Sequence, residues 1–284
     1  MKIIENVSAM HQTVLKIKKK NQTVGFVPTM GFLHDGHAAL LRQCKKENEV
    51  SILSIFVNPA QFGPKEDFKN YPRNIKNDEL LAKRENVDII FYPSVDEIYP
   101  SGFLSYVNVD VLSDQLCGAS RSGHFRGVAT VVLKLINIVG PHVMYLGQKD
   151  AQQAVILRKM VEDFNVPVKV KIIPTVREND GLAMSSRNSY LTEIQRNQAG
   201  VLYQALQNAQ QKIKNGEKNV KNIISSMKRM IGACSEADID YIQCVNAMNL
   251  SPIRRIEGEV LIALAVKFGK ARLIDNVIVH ANEN

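Results

Sequence analysis

From residue 23 to residue 173, short runs of apolar residues alternate with stretches in which apolar positions recur every three or four residues. Runs of the first kind predict strands over residues 23–28, 50–57, 88–92, 142–146 and 168–173. Stretches of the second kind predict helices over 38–47, 75–84, 128–138 and 151–164. Another helix precedes them, read from Val7, Met10, Val14 and Ile17. Strands alternating with helices indicate a parallel α/β sheet. The strands are continuously apolar rather than alternating, as expected when both faces of a sheet are covered. The pattern changes after Pro174. Two long amphipathic helices are expected at 193–214 and 219–231, then strands at 239–245, 260–268 and 271–279, the last two joined at Gly269-Lys270. Helices followed by antiparallel strands read as a separate α+β domain. The expected division is therefore 1–175 and 176–284.

Composition narrows the class. The chain has 284 residues, 45% of them hydrophobic, enough for a large core and against disorder. Its net charge of +8 suits an anionic small molecule as well as a nucleic acid. The basic run at 16–20 continues a helix and reads as a solvated helix end. Aromatic residues make up only 6% and the positive charge is spread out, which argues against nucleic-acid binding. Cys44, Cys117, Cys234 and Cys244 show neither C-x-x-C pairs nor zinc-ligand spacing, as in reduced cytosolic proteins. No export signal is read at the start, and the longest apolar run, 260–266, is far short of a membrane span. The expectation is a cytoplasmic protein.

Chemistry concentrates where expected strands end. After the first lies Met30-Gly31-Phe32-Leu33-His34-Asp35-Gly36-His37. Glycines there let backbone approach a ligand, and a helix start offers N–H groups and a positive dipole end to phosphate. Imidazoles at i and i+3 share one face and can stabilise oxygens that gain charge in phosphoryl transfer. A single histidine would more often simply cap or pack. After the second strand, Asn58-Pro59-Ala60-Gln61-Phe62 places neutral amides at a ligand-binding edge, followed by a Gly/Pro-marked polar loop, 63–73, that could close over a site. Asp78 could face a nucleotide-bound Mg²⁺ or be an ordinary helix carboxylate. Residues 117–128, with Arg121 and His124 among three glycines, form a second anion-ready helix start. At Gly147-Gln148-Lys149-Asp150, Lys149 could neutralise phosphate and Asp150 could accept from a ribose or cap a helix; Gln153 would point into the same crevice. Met184-Ser185-Ser186-Arg187 follows a turn at Asp180-Gly181 and offers hydroxyls and a guanidinium.

H-x-G-H resembles the nucleotide-binding motif of the nucleotidyltransferase superfamily, and Met-Ser-Ser-Arg is similar in shape to the K-M-S-K-S loop of class I synthetases. Taken in order, PTMGFLHDGH, FVNPAQF with EDFKNYPR, SGHFRGVATVV, GQKDAQQ and RENDGLAMSSRN closely resemble the pantothenate synthetase (pantoate–β-alanine ligase) family. The matching pieces span 28–188; beyond 188 the likeness is one of layout.

The resemblance implies a Rossmann-like doubly wound sheet that binds ATP and pantoate, with the smaller α+β domain covering the active site. It implies ligation of (R)-pantoate to β-alanine through pantoyl adenylate, with ATP as substrate, Mg²⁺, and a homodimer. It implies that His34, His37, Lys149, Ser185, Ser186 and Arg187 act on the phosphates. Met30, Gly147, Asp150, Val176 and Met184 would line the nucleotide pocket, and Gln61, Phe62, Val131 and Gln153 the pantoate pocket. Arg121 and His124 would lie near the site, and 63–73 would keep water from the adenylate. Family members often carry consecutive acidic residues where this chain reads Asn74-Ile75-Lys76-Asn77-Asp78, so Asp78 is the one carboxylate there. Two other readings compete: a nucleotidyltransferase that stops at a nucleotide conjugate, and a basic nucleic-acid-binding protein.

Overall fold

The computed structural model describes residues 1–64 and 66–281. Contacts divide the chain into two compact units. The first gathers 1–114, 118–147 and 153–174; the second gathers 115–117, 148–152 and everything from Thr175. The short segment 148–152, which carries Lys149 and Asp150, thus groups with the C-terminal residues.

The first part of the chain runs β1 (Lys2–Ile4), α1 (Val7–Lys18), β2 (Val24–Thr29), α2 (Asp35–Glu47), β3 (Val50–Ile55), α3 (Ile75–Arg84), β4 (Ile89–Phe91), α4 (Val95–Ile98), α5 (Cys117–Ser120), α6 (His124–Val139), β5 (Val143–Gly147), α7 (Ala151–Asp163) and β6 (Lys169–Ile173). The six strands form one sheet in the order β1-β4-β3-β2-β5-β6, every pair parallel. The apolar runs are central strands: all of β3 is buried, and Val24, Phe26 and Val27 of β2 have no exposed surface. Strand order reverses between β2 and β5, and in such sheets ligands bind beyond the carboxyl ends of strands at that point. The sequence pattern did not show β1, because three residues are too few to establish a period. Lys2–Ile4 gains its strand character from pairing with Ile89–Phe91.

The second unit contains α8 (Glu193–Ala199), α9 (Val201–Lys214), α10 (Val220–Gly232) and an antiparallel sheet of β7 (Ala237–Asn246), β8 (Gly258–Phe268) and β9 (Ala271–Ala281). The expected hairpin is present, with Phe268 opposite Ala271. Val220, Ile223, Met227 and Ile231 form the apolar stripe of α10 and join Leu202, Leu206, Ile262 and Leu264 in one core. Truncating one of its large residues to Ala would cost about 2–5 kcal/mol. The single helix expected over 193–214 is two helices, interrupted at Gly200. Glycine is the weakest helix former after proline. A side chain at Gly200 would also sit 3.2 Å from the Asp180 carboxylate.

Candidate active site

The segment after β2 is bent by two successive left-handed residues, Gly31 (φ +83) and Phe32 (φ +51). Glycine adopts this conformation without strain, but phenylalanine does not. The bend is held by Asp78 from α3, whose Oδ2 accepts the Phe32 N–H at 2.9 Å and whose Oδ1 accepts the Leu33 N–H at 2.6 Å. Asp78 is 2% exposed. Burial pushes its carboxyl above the ordinary value, against the two N–H bonds that favour the ionised form. With both oxygens occupied by backbone donors, Asp78 has the task of anchoring the loop. Each of those oxygens keeps a second acceptor site.

That loop delivers His34 and His37 to the start of α2. His34 is the N-cap in extended conformation, and its Nδ1 accepts the Gly36 N–H at 3.2 Å. His37 Nδ1 accepts the His34 N–H, also at 3.2 Å, closing a reciprocal capping box. A neutral imidazole that accepts at Nδ1 carries its proton on Nε2. Both rings therefore present Nε2–H as their donor end, with centroids 4.1 Å apart, at the positive end of a helix. Capping and anion binding are thus compatible: the helix uses one nitrogen of each ring and fixes the proton on the other.

At the carboxyl end of β3, Asn58 is 1% exposed and ties the next turn together. Its Nδ2 donates to Gln61 Oε1 at 3.0 Å and to the Gly127 carbonyl at 3.1 Å, while its Oδ1 accepts from the Tyr99 hydroxyl at 2.8 Å. Gln61 Nε2 then reaches Met30 Sδ at 3.1 Å, which brings two expected site residues together. Gly127 explains the glycine in α6: a Cβ there would lie 2.2 Å from the Ala60 carbonyl oxygen. Phe62 packs against Phe68 and Tyr71, with ring centroids 5.4 and 5.8 Å away. Val131 is buried on α6. In α7, Gln152 is buried and bonded to the Cys117 N–H and the Gln115 carbonyl, whereas Gln153 is partly exposed. Nothing lies within 4 Å of where a Gly147 Cβ would be, so open space remains above the end of β5.

In the second unit, Asn276 of β9 donates to the carbonyls of Gln148 and Lys149, both at 2.9 Å, and accepts from Gln148 Nε2. This cradles the turn that carries Lys149 and Asp150, whose side chains meet at 3.3 Å. Arg177 makes a bidentate pair with buried Asp275 at 2.6 and 3.0 Å and holds the Gly181 carbonyl. The strand-like turn so pinned joins Val176 to Met184 through a 3.0 Å backbone bond. Ser185 caps the turn that follows by accepting the Arg187 N–H, Ser186 is buried, and Arg187 is partly exposed.

The supporting residues Asp78, Arg177, Asp275 and Asn276 were not assigned these roles from sequence. Asp275-Asn276 carried a signal, two adjacent polar residues in the otherwise apolar run Leu273-Ile274-Asp275-Asn276-Val277-Ile278. Among the described residues no group of three or more His, Cys, Asp or Glu side chains could hold a metal ion. No helix among them is long and apolar enough to cross a membrane. No disulfide links the four cysteines.

A doubly wound parallel sheet with a histidine-capped helix start at its switch point defines an α/β protein of the doubly wound class. The sequence model of the pantoate-beta-alanine ligase family matches residues 2–278, and the chain belongs to that family. It is 52% identical over 281 residues to the pantothenate synthetase of Caldicellulosiruptor bescii, covering 99% of this chain and all of that one. The crystal structure of pantothenate synthetase from Thermus thermophilus superposes with a TM-score of 0.93 at 41% identity, covering 98% of this chain and 99% of that one. A pantoate-beta-alanine ligase from Francisella tularensis, described as complexed with beta-gamma ATP and beta-alanine, superposes with a TM-score of 0.80 at 36% identity, over 98% and 97% of the two chains.

Proposed function

We propose that this chain condenses (R)-pantoate with β-alanine, consuming ATP and releasing pantothenate, AMP and diphosphate, through an enzyme-bound pantoyl adenylate. The observation that carries the reading is the paired Nε2–H donors of His34 and His37 at a helix start, in a chain that belongs to the pantoate-beta-alanine ligase family. In the first step a pantoate carboxylate oxygen attacks the α-phosphorus of ATP; the bond to the bridging oxygen breaks and diphosphate leaves. In the second, the β-alanine amine attacks the acyl carbon; the acyl–oxygen bond breaks, AMP leaves and the nitrogen loses a proton. No protein nucleophile is needed. Catalysis is positioning plus stabilisation of charge as it develops.

His34 and His37 donate to the phosphate oxygens at the reacting phosphorus. Lys149, Ser185, Ser186 and Arg187 hold the remaining phosphate charge, and Gly147, Asp150, Met30, Val176 and Met184 take the nucleoside. The amides of Gln61 and Gln153 receive the pantoate hydroxyls and carboxylate, with Phe62 and Val131 against its methyl groups. Residues 1–175 are read as the ATP- and pantoate-binding domain and 176–284 as the smaller domain. Mg²⁺ arrives with ATP as the counter-ion of its phosphates and is held mainly by phosphate and water, with Asp78 as the carboxylate that could face it, directly or through water. Assembly as a homodimer and a cytoplasmic setting belong to the same reading.

The test is pantoate-dependent exchange of labelled diphosphate into ATP without β-alanine. Exchange that requires pantoate, drained to pantothenate and AMP when β-alanine is added, is expected. Absence of exchange in folded protein with Mg²⁺ present would remove the adenylate step. A stable nucleotide conjugate that β-alanine does not consume would replace ligation with simple nucleotidyl transfer.

A further inference from the structure

The segment after β3 and the start of α6 are joined by a chain of side chains that the reaction above does not use. Arg121 forks onto Glu66, with Nε 2.6 Å from Oε1 and Nη2 2.7 Å from Oε2. Its remaining Nη1 lies 3.0 Å from His124 Nε2, and His124 Nδ1 lies 2.8 Å from the Gln61 carbonyl oxygen. The protons in this chain can be placed. A carbonyl only accepts, so Nδ1 carries the hydrogen; a guanidinium only donates, so Nε2 of the neutral ring accepts.

Each end is tied to something functional. Glu66 belongs to the loop 63–73 and closes its first turn by accepting the Gly63 N–H at 3.3 Å. The rest of the described loop is self-consistent: Arg73 donates to the carbonyls of Phe68 and Tyr71, and Phe68 rests on Phe62. Lys65 lies outside the described residues. At the other end, the Gln61 side chain is held by Asn58 and turned to Met30. The Glu66 and Arg121 side chains are 26% and 17% exposed, so the pair is neither freely solvated nor sealed. Burial pushes the Glu66 carboxyl up, and the hydrogen bonds and charge of Arg121 outweigh it, holding the carboxyl below its ordinary value.

We propose that Arg121 and His124 are positioning residues for Gln61 and that Glu66 links them to the 63–73 loop, so that seating of the loop and alignment of the pantoate-binding amide are one event. This rests on the functional reading above. When the loop is seated, Glu66 neutralises Arg121, Arg121 fixes the His124 ring, and the ring fixes the Gln61 backbone. When it lifts, the guanidinium loses its carboxylate and the ring loses its orientation. The loop then serves two ends at once: it excludes water from the acyl adenylate, and it sets the substrate amide only while water is excluded.

The test compares Glu66→Gln, Arg121→Met, their double variant, His124→Ala and His124→Asn with the wild type. Circular dichroism first establishes folding. Two quantities are then measured: KM for pantoate in diphosphate exchange, and pantoate-dependent release of AMP without β-alanine, the hydrolytic leak in which water oxygen attacks the acyl carbon and pantoate is regenerated. Glu66→Gln and Arg121→Met should each raise pantoate KM roughly tenfold, the equivalent of about 1.4 kcal/mol, with a larger leak and an exchange kcat within about threefold. The double variant should be no worse than either single one, as for members of one linked unit. His124→Asn keeps an N–H for the Gln61 carbonyl but not the link to Arg121. It should restore pantoate KM relative to His124→Ala and still leak. Because the chain has no tryptophan, Phe68→Trp gives an emission signal from the loop alone. Pantoate with ATP should shift that emission, and Glu66→Gln should abolish the shift. Additive losses in the double variant, or KM and leak unchanged in folded variants, would overturn the linkage. A wild type lacking pantoate-dependent exchange would instead remove the functional reading on which it rests.

Discussion

The starts of α2 and α6 look alike in sequence, His34-Asp35-Gly36-His37 and Gly123-His124-Phe125-Arg126-Gly127, yet they are built in opposite ways. At α2 the N-cap is a histidine whose side chain caps the helix, and both ring Nδ1 atoms accept backbone N–H groups. At α6 the N-cap is Gly123 in the left-handed region with no side-chain cap, and His124 Nδ1 donates to the Gln61 carbonyl. The proton therefore sits on Nε2 in one case and on Nδ1 in the other. A backbone N–H facing Nδ1 leaves the ring proton on Nε2, whereas a backbone C=O facing it draws the proton to Nδ1. Two helix starts that both combine glycine and histidine thus hold their imidazoles in different tautomers, set by which backbone group each ring meets.

The largest effect expected from breaking this contrast is at α2. His34→Ala or His37→Ala should lower pantoate-dependent diphosphate exchange by about 10²–10³, the usual loss when one donor to a developing charge is removed. His34→Asn sharpens the point, because asparagine is a good N-cap but cannot reproduce the Nε2–H. Its thermal midpoint should stay near wild type while exchange falls as far as in the Ala variant. Equal activity in His34→Asn and wild type would make His34 a cap and nothing more.

Next comes the anchor of the α2 loop. Asp78→Asn replaces one of two acceptors with a donor facing a backbone N–H, and should destabilise the protein by roughly 1–3 kcal/mol. Urea unfolding would measure this, and the same variant should bind Mg²⁺·ATP no differently per folded molecule if Asp78 takes no part in holding the metal. On the α6 side, Gly127→Ala drives a Cβ into the Ala60 carbonyl and should displace the Asn58–Gln61 turn. The expected result is a pantoate KM raised roughly tenfold with ATP KM little changed; equal changes in both would point to general loosening.

The smallest effect lies at the far end of α2. Glu47 accepts from Tyr145 Oη and Lys171 Nζ, both at 2.6 Å. The hydrogen bond from Lys171, then that from Tyr145, hold its carboxyl down at about 2. A depressed carboxyl stabilises the fold above its unfolded pKa and loses that contribution as pH falls toward the folded value. Wild-type stability should therefore decline between about pH 5 and pH 2 more steeply than that of Glu47→Gln, with exchange at pH 7 the same in both. Parallel stability curves would show that solvent screens the interaction away.

The legible parts were those written in neighbouring residues. A cap, a glycine turn and two histidines three apart lie within eight residues of chain and can be read without the fold. The central strands were legible because burial on both faces demands unbroken apolar runs. Other features depended on distant partners. Asp78 meets Phe32 across 46 positions, and Asn276 meets Lys149 across 127, so neither task leaves a local pattern. Strand β1 takes its conformation from β4, and the break at Gly200 sits where the Asp180 carboxylate approaches.

Residue order alone established the alternation of elements, the residues that could carry chemistry and their place after strands, because hydrophobic period and capping chemistry act over a few residues. Folding added what depends on direction in space: which carboxylate is buried against backbone, which imidazole nitrogen bears the proton, and which amide is turned toward Met30. Those properties follow from the groups facing each side chain, and such neighbours are brought together by the packing of elements far apart in the chain.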